Sequence, residues 1–283
     1  MSRISHLSML ALCVVALMLV GCSRSSTPAS GAAQKMPHMA RAPVMTDAGP
    51  ASVGDVHVDT RRYRIDIRYP RLPPAEAVLM KALHQQAAKV RHAFMQALPD
   101  PKQYPGLANR QLQLQLDFSV AARMPAFVSV REKGMADTGG AHPMPLDASF
   151  VFATRTGQLV TLDDLFTDPA KARQRFSDVA CKALVAKLLA KVPGGARTPA
   201  KARAEWQSNM RQMITEGTAP TAQNISEFVV LAGAGDAASG IELIFPPYQV
   251  APYVYGSQSV DVPVEAFADL LKPAWRGDFD TSK

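Results

Sequence analysis

The chain has 283 residues, which is enough for one large domain or two small ones with a hydrophobic core. Its net charge of +7 and its pI of 9.4 would suit a nucleic-acid-binding protein, but the secretion signal described next argues against that partner. Of the three cysteines, only Cys181 remains once the N-terminal segment is processed and lipidated, so an intrachain disulfide is excluded. Cys181 lies in a helical pattern, where we expect a buried apolar residue rather than a nucleophile.

The first 22 residues predict secretion and lipidation. Arg3 supplies a positive start, and the apolar run from Leu7 to Val20 is too short for a membrane span. The sequence Leu-Val-Gly-Cys that ends at Cys22 resembles the bacterial lipobox, which implies removal of residues 1–21 and acylation of Cys22. Several acyl chains anchor a protein stably, and Ser23 in place of an aspartate resembles lipoproteins sorted to the outer membrane. We therefore expect a periplasm-facing lipoprotein of the bacterial envelope, attached to the membrane through Cys22.

Three further segments follow the signal. Residues 22–55 have few large apolar groups and no periodicity, which predicts a disordered tether. The folded domain is expected over residues 56–275, and a short tail over 276–283.

The first half of the folded domain alternates strands with one helix. Apolar and charged residues alternate from Tyr63 to Tyr69, and a helical pattern runs from Pro74 to Leu98. Four strands then follow in order, which predicts an antiparallel meander: residues 111–120, 127–133, 148–154 and 159–161.

The second half begins with a helical turn, for which Thr161 or Asp163 is the expected N-cap. The remaining pattern predicts these elements: a basic amphipathic helix over 169–192, a helix over 199–216, a hairpin of strands 226–232 and 241–245, a strand over 260–262 and a short helix over 264–271. The predicted fold class is α+β, with an antiparallel sheet, made of the meander and the C-terminal hairpin, on which the helices pack.

Charges are segregated along the chain. Residues 171–211 carry ten Lys or Arg and two acids, whereas residues 217–271 carry six acids and neither Lys nor Arg. Residues 134–170 carry five Asp against one Arg. We expect a bipolar molecule whose negative side can steer a cationic partner, although accidental segregation is the alternative. The basic helix at 171–191 is expected to face anionic lipid or wall polymer.

The segment Phe245-Pro-Pro-Tyr-Gln-Val-Ala-Pro-Tyr-Val-Tyr-Gly256 joins two predicted strands. It contains too much proline for a central strand and too many aromatic residues for an ordinary solvated loop. Tyr248, Tyr253 and Tyr255 could form a recognition surface, because tyrosine offers a large contact area at a small entropy cost. Alternatively, the three rings close the end of a sheet.

Other polar residues are weighed in the same way. His142, between Gly-Gly-Ala and Pro143, could act as a general base, or its two ring nitrogens could tie a tight loop. Asp163 and Asp164 could bind a cation, although paired Asp residues are commoner at a helix N-terminus. The sequence shows no metal-ligand spacing, nucleophile elbow or phosphate loop, so no catalytic residue, metal or cofactor is predicted.

Three motifs together carry a family resemblance. They are Thr138-Gly-Gly-Ala-His-Pro143, Thr156-Gly-Gln-Leu-Val-Thr-Leu-Asp-Asp-Leu-Phe166, and Phe228 to Tyr255 with the proline-tyrosine segment at its end. In this order and spacing they resemble the RsiV-like extracytoplasmic domain, a domain of unknown function shared by a lysozyme-sensing anti-sigma factor and the accessory region of a peptidoglycan deacetylase. The resemblance covers about residues 57–272 and implies an antiparallel sheet with packed helices.

The resemblance implies ligand recognition, since the sigma-binding segment, the transmembrane helix and the deacetylase motifs are absent from this sequence. The first hypothesis is a lipid-anchored binding module for a cationic protein such as lysozyme, or for peptidoglycan. The second is a peptidoglycan-modifying enzyme that uses His142 with Asp163 or Asp164. The third is an envelope scaffold without a soluble ligand. Nucleic acid is not an expected partner.

Overall fold

The computed structural model describes residues 54–281. The predicted signal, the lipidation site Cys22, nearly all of the tether and the last two residues lie outside the described part. Residues 54–281 form a six-stranded sheet, a three-stranded sheet and four α-helices. The α+β class predicted from the sequence is therefore confirmed.

The larger sheet contains the first six strands in chain order: β1 (Val56–Asp59), β2 (Tyr63–Arg68), β3 (Leu112–Arg123), β4 (Phe127–Asp137), β5 (Met144–Ala153) and β6 (Gln158–Val160). Strands β3 to β6 form the predicted meander. Strands β2 and β3 are parallel, because helix α1 (Ala77–Gln96) crosses between them. The sheet is thus mixed, and β1 is a strand that the sequence pattern does not predict.

Helix α1 covers one face of this sheet. Alternation along β3 places Leu112, Leu114 and Leu116 on that face, and each is buried. Their partners on α1, among them Leu79 and Leu83, recur at helical spacing and are fully buried. Burial of each such side chain contributes about 1.5–3 kcal/mol, so the match of the two periodicities stabilises this half of the domain.

The second half contains the smaller sheet and the other helices: α2 (Pro169–Leu189), α3 (Ala200–Gly217), β7 (Phe228–Ala232), β8 (Ala238–Phe245), β9 (Gln258–Pro263) and α4 (Pro273–Arg276). The predicted hairpin is extended by β9 into a three-stranded antiparallel sheet. The predicted helix over 264–271 is instead two 3₁₀ turns, Val264–Ala266 and Ala268–Leu270. Phe267, with φ −141° and ψ 0°, interrupts the helical backbone between them.

Serine side chains join the two sheets. The backbone N–H of Phe228 donates to Ser149 Oγ at 2.8 Å, and that of Val230 donates to Ser129 Oγ at 3.1 Å. Ser149 in turn donates its own N–H and its hydroxyl to the Glu227 carboxylate, at 2.6 and 2.8 Å. The backbone N–H groups on the open edge of β7 therefore donate to serine side chains of the larger sheet. These donors are buried and still have hydrogen-bond partners.

A buried ion pair lies beside these serines. Arg131 donates from Nε and Nη2 to the two carboxylate oxygens of Asp147, at 3.0 and 2.9 Å. The Asp147 side chain is only 4% exposed, and that of Arg131 is 14% exposed. A third group, Glu242 of β8, approaches Arg131 to 3.8 Å and links the pair to the smaller sheet.

Removal of Arg131 should therefore destabilise the domain strongly. We expect Arg131→Met to lower the free energy of unfolding by about 3–5 kcal/mol, because Asp147 keeps a buried charge without its partner. Urea denaturation measures the change. The control is Arg64→Met, which breaks the half-exposed pair with Asp66 and should cost less than about 1 kcal/mol. Equal losses in the two variants would contradict the role given to the buried pair.

A buried carboxyl on the opposite face of β4 makes stability depend on pH. Glu132 is 1% exposed and accepts a hydrogen bond from Gln86 of α1 at 3.0 Å. Burial raises the pKa of Glu132, and the charges of Asp147 and Glu227 add to the rise, although the hydrogen bond from Gln86 opposes it. The folded protein therefore holds this proton at pH values where the unfolded chain has released it.

The free energy of unfolding should fall as pH rises from the ordinary value of 4.5 through the raised pKa of Glu132. We expect Glu132→Gln, which keeps an acceptor for Gln86, to lose less stability over this interval than the wild type. Urea denaturation from about pH 4 to about pH 8 measures both curves. Replacement of the exposed Glu265 by Gln is the control. Parallel curves for Glu132→Gln and the wild type would contradict the prediction.

Candidate functional site

The loop between β8 and β9, residues 246–256, is anchored in the protein interior. Val250 and Ala251 are buried, and the Gln249 side-chain amide donates to the carbonyls of Gly217 and Asn224, at 2.8 and 2.9 Å. Gly217 permits this approach, because a Cβ there would lie 2.0 Å from the Gln249 carbonyl oxygen. The base of the loop is thus fixed against the C-terminus of α3.

A tight turn presents Tyr248 from this base. The N–H of Gln249 donates to the Pro246 carbonyl at 3.1 Å, and Tyr248 has a φ of 72°. With Pro247 at the second position, this is the pattern of a type II turn, whose third position normally holds Gly or Asn. Tyr248 is the only residue other than glycine with positive φ in residues 54–281. A tyrosine in this conformation carries strain of about 1–3 kcal/mol.

Two tyrosines of the loop form a cluster with His142, which we term the ring cluster: His142, Tyr248 and Tyr253. The centroids of the His142 and Tyr253 rings lie 4.0 Å apart with an interplanar angle of 17°. The Tyr248 ring lies 5.9 Å from that of Tyr253, at an angle of 30°. Tyr248 is 45% exposed, and His142 is also exposed. Tyr248 and His142 are therefore the solvent-exposed members of the cluster, and the half-buried Tyr253 ring stacks on His142.

Both ring nitrogens of His142 have neighbours at hydrogen-bond distance. Nε2 lies 3.1 Å from Tyr248 Oη, and Nδ1 lies 3.2 Å from the Pro143 carbonyl oxygen. A neutral imidazole that donates from Nδ1 and accepts at Nε2 satisfies both contacts. His142 thus ties the loop between β4 and β5 to Tyr248.

The loop that carries His142 is itself held by an ion pair at its start. Asp137 accepts from Arg110 at 2.6 Å and from the N–H of Gly139 at 2.9 Å. Gly139 has a φ of 93°, a backbone conformation that glycine adopts without a steric penalty. These contacts fix the path of residues 137–143, and so the position of the imidazole.

The third candidate tyrosine has a different environment. Tyr255 is half-buried, packs against the larger hydrophobic core of the second half, and lies within hydrogen-bond distance of the Lys191 carbonyl, at 3.3 Å. Val254, between the two tyrosines, is 83% exposed. Tyr253 and Tyr255 therefore point to different surroundings, and only the former is part of the ring cluster.

Asp163 and Asp164 have local structural partners. Asp164 accepts from the N–H and hydroxyl of Thr161, at 2.8 and 2.7 Å, so Thr161 is the N-cap of the helical turn. Although partial burial opposes it, these hydrogen bonds hold the pKa of Asp164 below its ordinary value. Asp163 forms an ion pair with Arg173 at 2.5 Å. The structure thus assigns both carboxylates to contacts separate from those of the ring cluster.

The expected negative pole is partly neutralised. Five acids of the two acidic segments are in ion pairs with arginine: Asp137 with Arg110, Asp147 and Glu242 with Arg131, Asp163 with Arg173, and Asp269 with Arg175. The fold therefore places arginines from other segments among some of the acids. Asp236, Asp261 and Glu265 are exposed.

The remaining features are a cavity, the arrangement of possible metal ligands and the character of the helices. A cavity of about 370 Å³ lies beside the junction of the sheets, with mainly apolar walls from β5, β6 and residues 222–228, and with Asp163 in its lining. Within residues 54–281, no three His, Cys, Asp or Glu side chains come together as a metal site would require. In the same range, no helix combines the length and apolar character needed to cross a bilayer.

The fixed base of the loop leads to a prediction. Gly217→Ala should lower the free energy of unfolding by about 1–3 kcal/mol and shift the aromatic NMR signals of the ring cluster, because the new methyl group overlaps the Gln249 backbone. Gly277→Ala is the matched control, since no atom lies within 4 Å of its added Cβ, and should change stability by less than about 0.5 kcal/mol. Unchanged ring signals in Gly217→Ala would show that the loop does not depend on this contact.

Comparison with curated proteins gives no match. Among solved structures, a DUF3298 family protein from Pseudomonas aeruginosa PAO1 has 14% sequence identity and a TM-score of 0.49, over 80% of this chain and 96% of that chain. A member of the DUF3298 family from Bacteroides fragilis NCTC 9343 has 15% identity and a TM-score of 0.46, over 81% of this chain and 96% of that one.

A family match covers part of the chain. Residues 163–265, which include Tyr248 and Tyr253 but not His142, match the family described as "Protein of unknown function (DUF3298)". This match is compatible with the resemblance seen in the sequence motifs, whereas the narrower link to RsiV-like proteins stays a prediction. Over residues 163–265, the family that this chain resembles is therefore DUF3298.

Proposed function

We propose that the domain is a lipid-anchored binding module of the bacterial envelope, which uses the ring cluster to hold the glycan of peptidoglycan. The observation that carries the proposal is the exposed set of nearly parallel rings, with Tyr248 held in a strained backbone conformation. Strain of this kind persists where the surrounding structure enforces it, and it is concentrated at ligand sites.

The chemistry of the cluster suits a sugar ring. Aromatic faces offer apolar area to the C–H groups of a pyranose, while phenol and imidazole edges offer polar contacts to its hydroxyl and acetamido groups. Tyr248, Tyr253 and His142 supply both kinds of contact in one place. Val254, which is 83% exposed next to Tyr253, adds apolar area.

A rigid platform improves affinity because less conformational freedom is lost on binding. Here Gln249, Gly217 and the buried Val250 and Ala251 hold one loop, and the Asp137 contacts hold the other. The platform is thus organised before any ligand arrives.

A cationic protein such as lysozyme is the other ligand implied by the family resemblance. The acidic segments that favoured it carry less free charge than the sequence implied, since five of their acids are paired with arginine. The ring cluster therefore supports the glycan better, and lysozyme serves as the second probe in the binding experiment.

The enzymatic alternative has less support. His142 has neighbours at both ring nitrogens, and Asp163 and Asp164 are bound to Arg173 and Thr161. A histidine general base uses one ring nitrogen to take the substrate proton, commonly with a carboxylate that orients the other nitrogen, and neither aspartate is a partner of His142. The arrangement therefore suits binding without chemical change.

The anchor belongs to the same proposal. Acylation at Cys22, expected from the lipobox, would hold the module at the outer membrane, facing the periplasm and its peptidoglycan. Cys22 lies outside the described residues, so this part rests on the sequence alone.

Replacement of Tyr248 separates binding from folding. We expect Tyr248→Asn to weaken binding of soluble muropeptides at least about tenfold, because an exposed ring of the platform is lost. The free energy of unfolding should stay unchanged or rise by up to about 1 kcal/mol, because Asn tolerates positive φ better than Tyr. Calorimetric titration and urea denaturation measure the two quantities.

Tyr104→Asn is the matched control, because Tyr104 is 54% exposed but lies outside the ring cluster. It should leave muropeptide binding unchanged. Absence of muropeptide binding by the wild type would refute the glycan proposal, and saturable binding of lysozyme at low salt would then support the second ligand. A change in muropeptide mass during incubation would support the enzymatic alternative. If neither muropeptides nor lysozyme bind, the remaining hypothesis is an envelope scaffold without a soluble ligand.

A further inference from the structure

The outward face of helix α1 has an unusual charge. Residues 77–96 contain Lys81, Lys89 and Arg91, together with His84 and His92, and no Asp or Glu. All five side chains are exposed, because the opposite face of the helix carries the buried apolar residues. The basic side chains therefore lie on the exposed side of the helix between residues 81 and 92.

The cations on this face are unpaired. Within residues 54–281, Lys81, Lys89 and Arg91 take part in no ion pair. On α2, by contrast, Arg173 and Arg175 are bound to Asp163 and Asp269. Helix α2 keeps the unpaired Lys171, Lys182 and Lys187, but two of its arginines are bound to acids and it carries Asp178, whereas α1 contains no acid.

Apolar groups lie among these cations. Val78 is 41% exposed and Met95 is 37% exposed, one near each end of the helix. Ala77, Met80 and Ala88 line a shallow depression with Lys81 and His84. A face that combines basic side chains with exposed apolar groups has the composition of helices that lie in a bilayer interface.

The chain enters the described part at the same helix. A Cβ built on Gly54 would lie 3.7 Å from His84 Nε2, so the first described residue rests against the middle of α1. The 31 residues 23–53 separate Gly54 from Cys22. The tether expected from the sequence would span on the order of 30 Å, which would keep α1 within reach of a bilayer that holds a lipid on Cys22.

We propose that the outward face of α1 docks on an anionic bilayer surface, through contacts of Lys81, Lys89 and Arg91 with lipid phosphates. The inference rests on the anchoring at Cys22 that is part of the proposed function. A single cation near an anionic membrane strengthens binding about fivefold, so three of them give about 100-fold. Salt weakens this attraction, since the charges are solvent-exposed.

Docking through α1 has a consequence for the ring cluster. Val128 and Val130 of β4 pack on the α1 side of the larger sheet, whereas Ser129 and Arg131 face the smaller sheet. The helix and the smaller sheet therefore cover opposite faces. A domain that lies on α1 presents the smaller sheet and its loop 246–256 away from the lipid, towards the periplasm.

Vesicle co-sedimentation tests the docking. The mature chain from residue 22, with Cys22→Ser to remove the acylation site, is mixed with vesicles of phosphatidylcholine alone or in equal parts with phosphatidylglycerol. We expect binding only to the anionic vesicles, and loss of that binding at high salt. The triple variant Lys81→Gln, Lys89→Gln, Arg91→Gln should reduce the partition coefficient about 100-fold.

The matched control is Lys171→Gln, Lys182→Gln, Lys187→Gln, which removes the same charge from α2 and should reduce binding by less than about fivefold. Equal losses from both triple variants, or a larger loss from the α2 variant, would overturn the proposal, as would equal binding to both kinds of vesicle. Binding of the α1 face to isolated peptidoglycan but not to vesicles would also overturn it and identify the wall polymer instead. Tyr248→Asn should bind vesicles like the wild type, so a failure of glycan recognition is distinguishable from a failure of docking.

Discussion

The fold depends on strand β4, which is covered on both faces. Alternate side chains pack towards α1 (Val128, Val130 and Glu132) and towards the smaller sheet (Ser129 and Arg131). Because a strand directs successive side chains to opposite faces, a shift of one residue would exchange the apolar set with the serine and arginine. The register of β4 therefore fixes both halves of the domain at once, and with them the loop that carries His142.

The sequence predicts the elements of this arrangement better than their associations. Strict alternation in β3 and helical spacing in α1 give the first half, since each burial face is visible as a period. The polar face of β4 and β5 has the pattern of a solvated face, so Ser129, Arg131 and Ser149 carry no signal that a second sheet covers them. Likewise, the parallel pairing of β2 with β3 follows from a crossover, which local patterns do not encode.

The same limit applies to the candidate site. Proline and tyrosine content identifies the loop 246–256, and the glycines around His142 identify the second loop. Their contact joins His142 to Tyr248, 106 residues apart, and no local pattern specifies a pair at such separation. Nor does a local pattern indicate the ion pairs that Arg110, Arg131 and Arg173 form with acids of the two acidic segments.

The exposed side chains of the ring cluster lie on two loops whose backbones are held in place. Exposed loop residues are commonly mobile, yet both loops here are held by partly buried hydrogen bonds, at Gln249 and at Asp137. These hydrogen bonds hold the backbone that carries the exposed rings. The strained φ of Tyr248, in contrast, lowers the stability of the fold. A sequence optimised for stability alone would place Gly or Asn at this turn position. Under the proposed function, a ligand contact of the exposed Tyr248 ring would offset this strain, which is the physical reason to propose the cluster as a binding surface.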